Sequence, residues 1–118
     1  MNGVNYLLDT NIIIGMYQKS AAVIALMQSR QVRISQCAYS AITRMELLGF
    51  VGITDNEEQA INGLLARMAY LSLNPAIEDA AIQLRWQRRL KLPDAVIVAT
   101  STVYSLELIT LDKQLING

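Results

Sequence analysis

Asp9, Glu46, Asp94 and Asp112 are the residues of this chain best suited to chemistry. Asp9 follows Val4-Asn5-Tyr6-Leu7-Leu8, and Asp112 follows Leu108-Ile109-Thr110-Leu111. Asp94 follows Leu92-Pro93 and precedes Ala95-Val96-Ile97-Val98-Ala99, while Glu46 lies inside Ile42-Thr43-Arg44-Met45-Glu46-Leu47-Leu48. The chain has no histidine and one cysteine. If the four carboxylates converge, they form an all-oxygen site for a hard divalent cation, with no imidazole or thiolate to compete. Such a site points to metal-assisted phosphate chemistry.

Each acid also has a plainer role. Asp9, with Thr10 and Asn11, is good capping material for a helix. Asp94 after Pro93 suits a first helical turn, where the dipole and free N–H groups favour an anion. Glu46 lies three residues after Thr43, the spacing of a capping box, although Ser40 is a better place for that helix to begin. Asp112 suits the opening of a final turn. The joint pattern carries more than any one member, because a metal site needs carboxylates from separate segments held together against their repulsion. Asp55, Glu57, Glu58, Glu78, Asp79 and Glu107 fall in polar first turns or at the edges of elements and read as solvated.

The elements that must position these acids alternate in type. Residues 4–8 read as a short buried strand ending at turn-forming residues. Residues 31–36 are a second strand candidate, 71–73 a minimal third and 107–110 the last. Helices are predicted over 12–18, 21–29 with Ser20 as N-cap, 40–50, 54–70, 76–89 after Asn74-Pro75, and 94–105, with a terminal turn over 113–116. No tight hairpin turn separates two strands. The pattern implies a parallel sheet of about four strands with helices on both faces. Ligand crevices of such sheets lie at the carboxyl ends of the strands, and Asp9 and Asp112 both sit just past such ends.

The 118 residues, 53% hydrophobic and 17% charged, suit one domain over 1–118 with a real core. No apolar run approaches the ~18 residues of a membrane span. The start, Met1-Asn2-Gly3-Val4-Asn5, lacks the basic region of a signal peptide. A lone Cys37 cannot form an internal disulfide, so a reducing cytoplasm is the expected setting. Net charge is zero, which taken alone argues against a nucleic-acid binder. Gathering four carboxylates in one place leaves six acidic against ten basic residues elsewhere. RNA is therefore not excluded, and modest, salt-sensitive affinity is expected.

Arg85, Arg88, Arg89 and Lys91 form the densest basic stretch and end just before Asp94. They read either as an RNA-binding, phosphate-tracking rim or as a solvated helix face. Trp86 reads either as a base-stacking platform or, more in keeping with a tryptophan on a helix, as core or interface.

These segments together resemble the PIN-domain ribonucleases, in particular the small VapC-type toxins of bacterial toxin–antitoxin pairs. Leu7-Leu8-Asp9-Thr10-Asn11-Ile12 is similar to the family's first acidic motif and Ser40-Ala41-Ile42-Thr43-Arg44-Met45-Glu46-Leu47 to its second. Leu92-Pro93-Asp94-Ala95-Val96-Ile97-Val98-Ala99-Thr100 resembles the third, and Leu108-Ile109-Thr110-Leu111-Asp112 the last. Four such segments in order, nearly end to end, are far more specific than any one. The resemblance implies a three-layer α/β/α sandwich with a central parallel sheet and Mg²⁺- or Mn²⁺-dependent cleavage of RNA. It implies Asp9, Glu46, Asp94 and Asp112 as the acidic cluster, with Asp9 and Asp94 binding the ion directly. Glu46 and Asp112 would hold its waters or a second ion, and Thr10, Asn11 and Thr110 would be supporting polar groups. It further implies a cognate antitoxin, laying a helix or strand over the groove. The high apolar content of so small a chain also predicts surface covered by a homodimer or by that partner. Two positions depart from the family: Ser105 stands where a glycine is common, and Leu115 where an aromatic is common.

Other readings stay open at this point. One is a PIN-domain nuclease of RNA processing without a toxin role. Another is a metal-free RNA-binding or scaffold domain. A phosphatase using Asp9 as nucleophile is a third, but the haloacid-dehalogenase type wants a second aspartate where Asn11 stands.

Overall fold

Four short runs of apolar residues pair as the strands of one sheet: β1 (Tyr6–Leu8), β2 (Cys37–Ser40), β3 (Ala69–Leu71) and β4 (Glu107–Ile109). They belong to a computed structural model that describes residues 3–117. The expectations for Met1 and Asn2, and for Gly118 at the end of the expected domain, lie outside the described residues. All pairings are parallel and the strand order is β3-β2-β1-β4. Tyr6 sits opposite Cys37 on one side and Glu107 on the other. The first strand of the chain therefore lies between the second and the last.

Parallel strands need long crossovers, and helices supply them. These are α1 (Thr10–Tyr17), α2 (Ala21–Ser29), α3 (Ala41–Leu48), α4 (Asp55–Leu65), α5 (Pro75–Arg88) and α6 (Leu92–Val103), with α7 (Lys113–Asn117) after β4. Their starts follow the capping chemistry of the sequence. Ser20 accepts from the Val23 amide and Ser40 from the Thr43 amide, while Asn74 accepts from Ile77 just ahead of Pro75. Thr54 and Glu57 close a reciprocal capping box.

Alternation along the strands sorts the core into two layers. Leu8, Cys37, Tyr39 and Ile109 face one way and pack with Ile12 and Ile13 of α1, Val23 of α2, and Ile61 and Leu65 of α4. Leu7, Ala38 and Leu71 face the other way and pack with Ile97 of α6. Helix α5 packs against α6 through Ile77 and Ala81. The architecture is thus the expected three-layer α/β/α sandwich around a parallel sheet. Where α1 meets α2, a β-carbon added at Gly15 would lie 2.3 Å from Val23 Cγ2, so only glycine permits that approach.

Several boundaries differ from the sequence expectation. The second strand is not 31–36; those residues turn through a 3-10 helix, Ile34–Gln36, and the strand is Cys37–Ser40. Val32 and Ile34 mimic strand alternation, whereas β2 is buried on both faces and does not alternate. Helix α4 ends at Leu65 rather than near Tyr70, and the third strand is Ala69–Leu71 rather than 71–73. Trp86 is not core: it is 74% exposed on α5. Glu107 is not merely solvated, since it pairs with Arg30 on the surface. Ser105 adopts the left-handed backbone, φ +55°, which explains why glycine is common there. Among the described residues, no helix is long and apolar enough to cross a membrane.

Candidate active site

All four acids emerge along the carboxyl edge of the sheet. Asp9 follows β1 directly and is the N-cap of α1; Thr110 and Asp112 follow β4. Glu46 is carried there by α3, which starts where β2 stops, and Asp94 by the first turn of α6. Asp9, Thr10, Asn11, Ile14, Glu46, Asp94, Ile97 and Asp112 line one open cleft of about 360 Å³. The four carboxylates, separated by up to 103 positions in sequence, share that cleft.

Asp9 is the fixed member. It is 5% exposed, and both of its oxygens are engaged. Oδ1 accepts from the Thr10 amide at 2.7 Å, and Oδ2 accepts from the Thr110 hydroxyl at 2.6 Å. The Thr110 oxygen in turn accepts the Asp112 amide at 2.9 Å. Asn11 Oδ1 accepts from the Leu111 amide at 3.3 Å, tying α1 to the same loop. Thr10 and Thr110 thus bond Asp9 directly, while Asn11 bonds the loop that carries Asp112.

Glu46 is exposed, yet a chain of hydroxyls orients it. Thr10 donates its only side-chain proton to Glu46 Oε1 at 2.7 Å. At the 2.9 Å contact between the Thr10 and Thr43 hydroxyls, Thr43 must then be the donor. Ser40 donates to Thr43 at 3.3 Å, so every proton in the chain points toward the carboxylate. Aligned donors of this kind reinforce one another and fix the direction of the Glu46 side chain. Ser40 and Thr43 are fully buried. Sequence reasoning used both as capping residues and missed this role. The available signal was two hydroxyls at the i, i+3 spacing one turn before Glu46.

Asp94 is half-buried, and its carboxyl is raised above the ordinary 3.8. Burial contributes most, followed by the charges of Asp9, Asp112 and Glu46, with Lys91 opposing them. Burial and three neighbouring carboxylates thus outweigh the single opposing cation. Among the described residues, no three carboxylate, thiol or imidazole groups stand close enough to enclose one ion. The acids of the cleft offer oxygen donors alone, without imidazole or thiolate, and a donor set of that kind fits a hard ion such as Mg²⁺, which keeps several of its own waters.

The basic stretch separates into different roles. Lys91 acts on Asp94 electrostatically and so stands by the acids. Arg88 turns away: its guanidinium donates to the carbonyls of Gln114 at 2.6 Å and Leu115 at 3.2 Å and anchors α7. Arg85 and Arg89 are exposed on or at the end of α5.

With that geometry in view, the chain can be set beside known proteins. The family model for the PIN domain matches residues 6–117. The chain belongs to the PIN-domain family. All four acidic segments of this PIN domain fall inside the matched residues. It is similar to a chain of a toxin–antitoxin complex from Klebsiella pneumoniae, with 31% identity over 97% of this chain and 92% of that one and a TM-score of 0.82. FitAcB from Neisseria gonorrhoeae is 23% identical over 93% of this chain and 89% of its own, with a TM-score of 0.74. DNA-bound VapBC from Salmonella typhimurium is 18% identical over 98% and 92%, with a TM-score of 0.77. At those lower identities the likeness shows the PIN fold alone. No curated protein matches the chain.

Proposed function

We propose that this PIN domain is a Mg²⁺- or Mn²⁺-dependent endoribonuclease and the toxin of a toxin–antitoxin pair. The observation that carries the reading is the convergence of Asp9, Glu46, Asp94 and Asp112 on one cleft, where burial and then the neighbouring acids raise Asp94. Asp9 and Asp94 would hold the ion, and Glu46 and Asp112 would hold its waters or a second ion beside it. When bound, the ion supplies Lewis acidity toward a phosphodiester and lowers the pKa of a water. Asp9 is held by Thr10 and Thr110 and keeps its end of the cleft rigid. Glu46, aimed by Thr10, orients the attacking water and takes its proton. Lys91 offers a cation to the neighbouring phosphate. No histidine is present to promote attack by the ribose 2′-hydroxyl, so water is the nucleophile and the products carry 5′-phosphate and 3′-hydroxyl ends.

The toxin assignment draws on the similarity to a chain of the Klebsiella pneumoniae complex. It draws also on an apolar groove, lined by Ile13, Tyr17, Leu47, Phe50 and Ile61, that runs into the acidic cleft through the shared residues Ile14 and Glu46. An antitoxin segment lying in this groove would carry an Arg or Lys to the acids. The reading is completed by a second copy of the chain on another surface and by a cytoplasmic setting. The buried Cys37 thiol, pushed up to about 11 by desolvation, is unreactive there.

One observation favours a second reading, a metal-free RNA-binding domain: no ready-made three-ligand cage exists among the described residues. Incubating a defined RNA with the protein and with Asp94→Asn, each in Mg²⁺ and in EDTA, separates the two. Cleavage only by the unmodified protein in Mg²⁺, leaving 5′-phosphate ends, is expected. Cyclic 2′,3′-phosphate ends, or Mn²⁺ calorimetry without binding heat, would overturn the hydrolytic reading.

A further inference from the structure

Two hydroxyls that do not border the cleft reach one of its acids. Ser40 and Thr43 are fully buried, and neither lines the space that the four carboxylates share. A serine or threonine inside a helix ordinarily donates to a carbonyl three or four residues back. In α6, Thr100 donates to the Val96 carbonyl at 2.7 Å, and Ser101 and Thr102 to that of Val98 at 2.8 and 3.0 Å. Thr43 of α3 does otherwise. Its proton leaves the helix and crosses to the Thr10 hydroxyl of α1.

The Thr10 oxygen thus bridges two side chains of α3 that stand one turn apart, Thr43 and Glu46. With the single proton of Thr43 committed to Thr10, that of Thr10 is left for Glu46. Among the described residues, Glu46 has no cationic partner and no hydrogen bond besides the one from Thr10. An exposed glutamate held by nothing would move among several rotamers. We propose that Thr43, supported by Ser40, is a positioning residue that presets Glu46 before any ion or RNA arrives. The proposal rests on the hydrolytic reading for what Glu46 does, and on the hydroxyl row alone for how Glu46 is held. A carboxylate already aimed has little freedom left to lose when the attacking water is placed. The gain therefore falls in turnover and not in the binding of RNA.

Thr43→Val keeps the shape and removes the proton. On a defined RNA in Mg²⁺, kcat is expected to fall about tenfold with KM unchanged, as for other groups that orient a site from behind. Thr43→Ser keeps the hydroxyl and restores most of the rate. Because Thr43 acts through Thr10, adding Thr43→Val to Thr10→Val lowers kcat no further. Circular dichroism checks that each variant is folded; where Thr43→Val is not, Thr43→Ala removes the same proton. A second readout needs neither ion nor substrate. In EDTA, three-bond couplings of the Glu46 side chain, assigned by their loss in Glu46→Gln, report one rotamer in the unmodified protein and in Thr43→Ser. In Thr43→Val they report an average over several. Averaged couplings in the unmodified protein, a rise in KM in place of the fall in kcat, or losses that multiply in the double variant overturn the proposal. An unmodified protein that holds Glu46 in one rotamer yet cleaves no RNA overturns the hydrolytic reading and leaves the presetting of Glu46 standing.

Discussion

The Thr110 hydroxyl donates to Asp9 Oδ2 across 2.6 Å and joins two residues 101 positions apart. The same oxygen accepts the Asp112 amide, so one small side chain sets the relation between two of the acids. Thr110→Val keeps the shape but strands a carboxylate oxygen and an amide, a loss of about 1–3 kcal/mol in stability. Groups that orient a ligating carboxylate typically account for ~10–100-fold in metal affinity or activity, so Mn²⁺ calorimetry and RNA cleavage should both fall by that order. Thr110→Ser retains the hydroxyl and should stay within a few-fold of the unmodified protein.

Asp94 makes the ion-free protein less stable as pH rises. Its carboxyl is raised in the folded state, so between the ordinary value and the raised one the native form binds more protons than the unfolded form. The penalty is absent below the ordinary 3.8, grows as pH climbs through the raised folded value and is complete above it. Thermal melts in EDTA should show stability falling over that window. Asp94→Asn should flatten the curve and melt higher at neutral pH while cleaving no RNA. Adding Mg²⁺ should stabilise the unmodified protein more than the variant. A pH profile identical for both proteins would count against the shared-charge description of the cleft.

Arg88 and Arg85 sit close in sequence and should behave differently. Arg88→Ala frees the carbonyls of Gln114 and Leu115 and loosens α7, at a cost of about 1–3 kcal/mol for charge-assisted bonds. Arg85 is exposed, and Arg85→Ala should leave the melting temperature unchanged. Differential scanning fluorimetry of the pair tests this; equal effects would mean that Arg88 is not an anchor.

Ser105 carries a backbone conformation that suits glycine. The left-handed region costs an L-residue roughly 1–2 kcal/mol, partly offset by the greater freedom of glycine in the unfolded chain. Ser105→Gly should therefore gain about 0.5–1 kcal/mol in urea denaturation, with RNA cleavage unaltered, because the residue lies away from the cleft.

The layered α/β architecture was legible because strand-like and helix-like stretches alternate and no hairpin turn intervenes. The acidic residues were legible because each stands at a break in an apolar run. Strand order was not, since parallel pairing depends on crossovers rather than on neighbours in sequence. The second strand was misplaced because Cys37-Ala38-Tyr39-Ser40, buried on both faces, lacks the alternation that Val32 and Ile34 imitate nearby. The third was shifted because its limits are set by pairing with β2, Ala38 against Ala69 and Ser40 against Leu71. Thr43 was read only as a helix-start residue, because its contact with Thr10 spans 33 positions and leaves no local trace. Arg88 was grouped with its basic neighbours for the same reason, its carbonyl partners lying 26 and 27 residues away.

The pairing of β1 with β4 has a temporal consequence. The carboxylate clasp at Asp9 closes only when residues 107–112 have arrived, so a chain whose β4 has yet to pair carries an unfinished cleft. Long-range pairings of this kind form late, after the intervening segments have collapsed. The proposed nuclease would in this way stay idle until its fourth strand has slotted in beside its first.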